Sequence, residues 1–367
     1  MPVTARGKIL LLQTALCLLL PAVVLADSPW PALNRALVDE HIVPRYRHLA
    51  EAAEKLDERS RTFCAAPDDA GLAGVHAAYQ DTMDAWMEIQ HVRFGPVELY
   101  LRYNRFQLWP DKHNTAERQL SKALAERDAA QLAEDKFPYA SVALQGLSAY
   151  ERLLYGGDAD GARFDSEGQD TYPCLLLGAI AHNLARMSAD VYQEWTTAKP
   201  SYRDIVFEAE QGNSHFETSE EFSARMLNNL YTSLQFIVDQ KLLAPLGATP
   251  AEANPRRAES WRSRRSLRNI VLNLEAAESL YLTAYSAPLK ADKENAVLDR
   301  EIRRAFDRTL HAARDIKQPL YDALQTPGQR QSVERLLAAA SELKRLLGDP
   351  LPSALGLPLG FNSLDGD

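Results

Sequence analysis

Gly146-Leu147-Ser148-Ala149-Tyr150-Glu151-Arg152-Leu153-Leu154-Tyr155-Gly156 is the stretch from which the fold is read. It looks like the end of a helix. Leu144, Leu147, Ser148, Glu151, Leu154 and Tyr155 recur at helical steps and share one face. That face is apolar except for Ser148 and Glu151. A carboxylate in a leucine stripe is costly to bury unless something pairs with it. Glu151 is therefore the natural centre of any site.

Helical patterning extends outward in both directions. Residues 31–64 are rich in Ala, Leu, Glu and Arg, with Pro44 expected to kink the helix. Asp68 is a good N-cap for a helix to about Arg93, which Gly95-Pro96 stops. Asn114 with Glu117 resembles a capping box, and Pro138 is expected to open the helix containing Glu151. Pro173 opens a long helix to Thr197, and Thr218 caps another that runs to about Leu243. Three more are expected over 259–286, 294–317 and 329–347. No stretch alternates long enough to argue for a sheet.

The fold class is therefore all-α. Long helices with short loops predict two helical-bundle domains packed side by side with a cleft between them. The expected boundaries are 27–160 for the first bundle, 173–347 for the second, and 348–367 for a tail packed on both. The Gly- and Asp-rich segment 156–172 reads as the solvated connection. Its aspartates loosely resemble a calcium loop, but the closing Glu of an EF-hand is missing.

The N-terminus has the form of a secretory signal peptide over residues 1–26. Arg6 and Lys8 precede an apolar run, and Val24-Leu25-Ala26 predicts cleavage after Ala26. The competing reading is a retained membrane anchor. No later stretch is long and apolar enough to span a bilayer. The net charge is −9, and losing Arg6 and Lys8 makes it −9 − 2 = −11. That argues against nucleic acid as a partner. Periplasm or cell envelope is the expected location. There Cys64 and Cys174 face an oxidising compartment, so they form a disulfide or stay as two buried thiols.

Ser148 and Glu151 have the spacing of two ligands on one helix, but Ser is a weak ligand for zinc or iron. Two readings of Glu151 stand open. It is a weak metal or catalytic group, or a buried carboxylate held by an Arg with Ser148 beside it. No His-x-x-x-His pattern occurs, although Glu88 and His91 would meet Glu151 if their helices were neighbours. Arg93, Arg102, Arg105 and Trp109 concentrate cations and aromatics, either to line a cleft or to form an interface between bundles. There is no Gly-x-Ser-x-Gly, so Ser148 is not a hydrolase nucleophile on motif grounds.

Four stretches taken in order resemble the imelysin-like family of bacterial envelope proteins. They are Gly146-Leu147-Ser148-Ala149-Tyr150-Glu151 with its continuation to Gly156; Trp86 through Arg93-Phe94-Gly95-Pro96 with Trp109-Pro110; Trp261 to Leu274; and Leu357 to Asp367. The resemblance spans nearly the whole mature chain. It implies two helical bundles with a cleft, and a site at the His and Glu of the GxHxxE motif. Gly146 and Glu151 match that motif, but Ser148 stands where the family has His. The resemblance implies a binding protein in iron or metal acquisition with its site at Ser148 and Glu151; the Arg- and aromatic-rich segment adds Arg93 and Trp109 as binding residues, and the cofactor stays open, with a divalent metal or iron among the choices. The alternatives are an imelysin-type metallopeptidase, which needs a metal-bound water and a base, and a non-catalytic envelope protein that binds a partner.

Overall fold

The structure is a computed structural model that describes residues 28–156 and 171–360, together with Met1 and Phe164. The expected signal segment, most of the Gly/Asp-rich connection and the last seven residues of the tail lie outside the described residues. The described chain is helical throughout, with no strand.

In chain order the α-helices are α1 (Trp30–Ala36), α2 (Val43–Ala65), α3 (Asp69–Ile89), α4 (Arg102–Phe106), α5 (Thr115–Glu126) and α6 (Val142–Gln145). Next come α7 (Leu147–Tyr155), α8 (Tyr172–Thr196), α9 (Tyr202–Phe207), α10 (Ser219–Phe236) and α11 (Ala244–Leu246). The rest are α12 (Ser266–Ala284), α13 (Ser286–Ala291), α14 (Asn295–Arg314), α15 (Leu320–Ala323), α16 (Pro327–Gly348) and α17 (Pro350–Leu355).

Two sets of long helices pack together. In the first, α2 runs along α3 and α8, and α7 packs on α8 and α3. In the second, α14 packs on α16 and α12, and α10 lies against α12 and α16. Helix α3 packs on α12 and joins the sets, and one apolar core runs through both. Helix α8 had been expected to open the second bundle, but its main partner is α2. Its Leu176, Ile180, Leu184 and Val191 are fully buried, each worth about 1.5–3 kcal/mol of apolar burial. The disulfide Cys64–Cys174 fastens the end of α2 to the start of α8.

Of the three side-chain caps expected at Asp68, Asn114 and Thr218, two form. Asp68 accepts from Gly71 N at 2.6 Å, and Thr218 accepts from Glu221 N at 3.2 Å. Asn114 does not cap α5. Its backbone is left-handed, and Asp111 takes the role by accepting from Thr115 N and Ala116 N, both at 2.8 Å. A longer reach across the Asp111–Asn114 turn served better than the local capping box.

Pro44 and Pro245 do not produce simple kinks. Each stands just after a π-helical segment, Leu37–Ile42 and Ile237–Leu243. A proline removes one ladder N–H, and a wider turn before it absorbs the missing bond. These turns place His41 and Lys241, both fully buried, in the core. In the C-terminal segment, α17 packs on α13, α14 and α16, and Leu357 is buried.

Candidate functional site

The helix bearing Glu151 begins later than expected. Pro138 sits in a short 3-10 turn, α6 ends at Gln145, and Gly146 starts a new helix. Leu144 therefore does not share the helix of Glu151. Gly146 makes the break because the chain of α4 passes over it. A Cβ there would lie 2.4 Å from the Arg105 carbonyl oxygen and 2.6 Å from that of Phe106. Only glycine permits this approach.

The first turn of α7 presents Ser148, whose hydroxyl donates to the Leu108 carbonyl at 3.1 Å. Ser148 therefore braces the segment leading to Trp109 and does not bond to Glu151. One turn on, Glu151 is buried and accepts from both the backbone N–H (2.8 Å) and the hydroxyl (2.7 Å) of Ser263. Ser263 belongs to the turn-rich stretch Glu259–Arg265 before α12. Helix had been expected there, but α12 starts only at Ser266. Burial pushes the Glu151 carboxyl above its ordinary range, opposed by the two Ser263 bonds and the charges of Arg262 and Arg152. Tyr79 is also buried nearby. Desolvation first, then the Glu151 charge, raise its hydroxyl well above the usual tyrosine range.

Beside this anchor lies a cavity of about 670 Å³. Ser148, Glu151 and Arg152 of α7 form one side of it. The Trp109-Pro110-Asp111 turn and the Arg256–Arg262 stretch form the others. Glu117 bridges Arg152 (2.6 Å) and Arg262 (3.2 Å), and the Arg262 guanidinium lies 4.4 Å from the centre of the Trp261 ring. Trp261 stacks on Tyr321, and Trp109 meets Phe236 edge-on at 5.5 Å. The walls thus pair aromatic faces with guanidinium groups.

Of the expected site residues, Ser148, Glu151 and Trp109 converge on this cavity, and Arg93 does not. Its guanidinium lies over the Tyr103 ring at 4.5 Å and borders a separate void of about 20 Å³ beside His91 and Lys241. Glu88 and His91 also miss Glu151. Glu88 pairs with His48 at 3.1 Å, and His91 Nε2 meets His41 Nε2 at 2.8 Å. The important residues passed over in the sequence are Arg152, Arg256, Arg257, Arg262 and Ser263. A signal was present: six arginines between Arg256 and Arg268 in an acidic chain.

Behind the cavity wall, Lys241 Nζ donates to Glu259 (2.8 Å), Asn273 (2.6 Å) and Gln90 (3.0 Å). Glu259 also accepts from Asn269 and Gln107. This buried pair fixes the start of the loop that carries the cavity arginines.

No group of three or more His, Cys, Asp or Glu side chains is placed to hold a metal ion among the described residues. Around Glu151 the donors are a serine and its own backbone, with two guanidinium groups nearby. These residues do not make a metal centre of the GxHxxE kind.

The chain belongs to the imelysin family (Peptidase M75), whose model matches residues 42–347. It is similar to Iron-regulated protein A of Synechococcus elongatus, at 23% identity over 324 residues covering 84% of this chain and 83% of that protein. The fold matches an imelysin-like protein from Psychrobacter arcticum 273-4 with a TM-score of 0.74 at 15% identity, over 90% of this chain and 97% of the other. It also matches a proposed iron-regulated protein A precursor from Parabacteroides distasonis ATCC 8503, with a TM-score of 0.75 at 18% identity, over 90% and 96% of the two chains.

Proposed function

We propose that this imelysin-family chain is an exported binding protein of the periplasm or cell envelope, serving iron acquisition, with its ligand site in the cavity beside Glu151. The carrying observation is that cavity, about 670 Å³ in volume, with Ser148, Glu151 and Trp109 on its walls. A void of this size suits a small molecule. The link to iron rests on relatives named as iron-regulated proteins. Export rests on the signal-like residues 1–26, and the two-bundle division on the pair of helix sets. Glu151 acts as the anchor that joins α7 to the Ser263 loop.

The test is ligand and metal analysis of protein purified from its native compartment, followed by binding measurements on Glu151→Ala. The proposal expects a bound small molecule or iron species and weaker binding in the variant. Unchanged binding would remove the site assignment. Chelator-sensitive cleavage of peptides would replace the proposal with a metallopeptidase.

A further inference from the structure

The cations near the cavity are not evenly balanced by acids. Six arginines lie between Arg256 and Arg268. Three of them point away to carboxylates of their own: Arg264 pairs with Asp322, and Arg265 and Arg268 share Asp84. The other three, Arg256, Arg257 and Arg262, line the cavity together with Arg152. Facing these four guanidinium groups, the lining carries two carboxylates, Asp111 and Glu151. Both are engaged: Asp111 caps the N-terminus of α5 and pairs with Arg152 at 3.8 Å, and Glu151 holds Ser263. Glu117 sits between Arg152 and Arg262 and serves both. Burial, then the charge of Arg152, pulls the Arg262 guanidinium below its usual range, opposed by Glu151 and Glu117, with Arg256 adding a smaller push downward. In a chain of net charge −9, Arg256 and Arg257 thus stand exposed on the cavity wall with no ion-pair partner among the described residues.

From this we propose that the cavity takes a polycarboxylate, free or as its iron complex, held by Arg152, Arg256, Arg257 and Arg262 against the faces of Trp109 and Trp261. The proposal rests on the reading of this cavity as the ligand site and names the ligand class. Guanidinium groups match carboxylates in a two-pronged geometry, and several converging pairs favour a multiply charged anion over a monoanion. Tryptophan faces accommodate the carbon skeleton between the carboxylates. An iron complex of such a ligand keeps peripheral carboxylates, so the protein itself needs no metal donors.

The experiment is calorimetric titration of the full-length mature protein with citrate, ferric citrate and inorganic phosphate at low and high salt. Arg256→Gln/Arg257→Gln removes two exposed cations, and Arg262→Gln removes a half-buried one; circular dichroism checks that each variant is folded. The expected result is saturable binding of citrate or ferric citrate that weakens with salt and falls about tenfold or more in the double variant. Binding of ferric citrate alone identifies the iron complex as the source, and equal binding of both identifies the free acid. Uptake of phosphate but neither citrate form overturns the polycarboxylate class. If no anion binds but another ligand still binds in a Glu151-dependent way, the charge argument falls and the site stands. If no ligand depends on Glu151 or on the arginines, both fall.

Discussion

Glu151 on α7 holds Ser263 by both its amide and its hydroxyl, so one carboxylate ties the first set of helices to the loop that enters the second. The carboxylate is buried, and its pKa is raised. The folded state therefore keeps a proton that the unfolded chain would release. Relative to a neutral group, the contribution of Glu151 to stability is greatest below the ordinary carboxyl value of 4.5 and declines as pH rises through the raised one. Glu151→Gln should remove this decline and leave the protein folded at neutral pH. Denaturant melts of both proteins across this range check it.

Gly146→Ala should cost about 1–3 kcal/mol, the usual range for overpacking, and toward its upper end because the obstructing atoms cannot yield. The obstructing atoms are backbone carbonyl oxygens of Arg105 and Phe106. Urea unfolding midpoints would show the loss, and an unchanged midpoint would mean that α4 does not press on α7.

His41 and His91 form a buried Nε2–Nε2 hydrogen bond of 2.8 Å. Burial drives both pKa values down, His91 to about 3, and Arg45 opposes a proton on either ring. The unfolded chain takes up protons near 6.5 that the folded protein refuses. Stability is therefore fully present above that value and falls as pH drops below it, by about 1.4 kcal/mol per pH unit for each proton refused. His91→Gln should remove about half of this slope, measured by thermal melts between neutral and mildly acidic pH.

Lys241→Met should cost about 3–5 kcal/mol, because it strands the buried Glu259 carboxylate. Lys241→Met/Glu259→Gln should recover part of that loss, as a double-mutant cycle on the two sites would show.

Helix periodicity made the all-α class legible, and the later helices lie close to their expected spans. Packing partners were less so. An apolar stripe such as Leu176–Ile180–Leu184 says that α8 is buried without saying against which helix. The break at Gly146 was hidden because its cause is the backbone of Arg105 and Phe106, distant in sequence. Glu151 was legible as an anomaly in a leucine stripe. Its partner Ser263 was not, since a serine in an arginine-rich turn carries no periodic signal. The cavity arginines escaped for a related reason: neighbours in the same run, such as Arg264 and Arg268, are ordinary ion-pair residues.

The central claim is that Glu151 positions the Ser263 loop and does not itself ligate or catalyse. The most direct measurement compares ligand affinity in Glu151→Gln and Glu151→Ala. Glutamine keeps an acceptor for both Ser263 bonds, whereas alanine keeps none. The account predicts affinity within about threefold of the parent for Gln and a loss of about tenfold or more for Ala. Equal loss in both variants would show that the negative charge itself meets the ligand or metal, and would contradict the account.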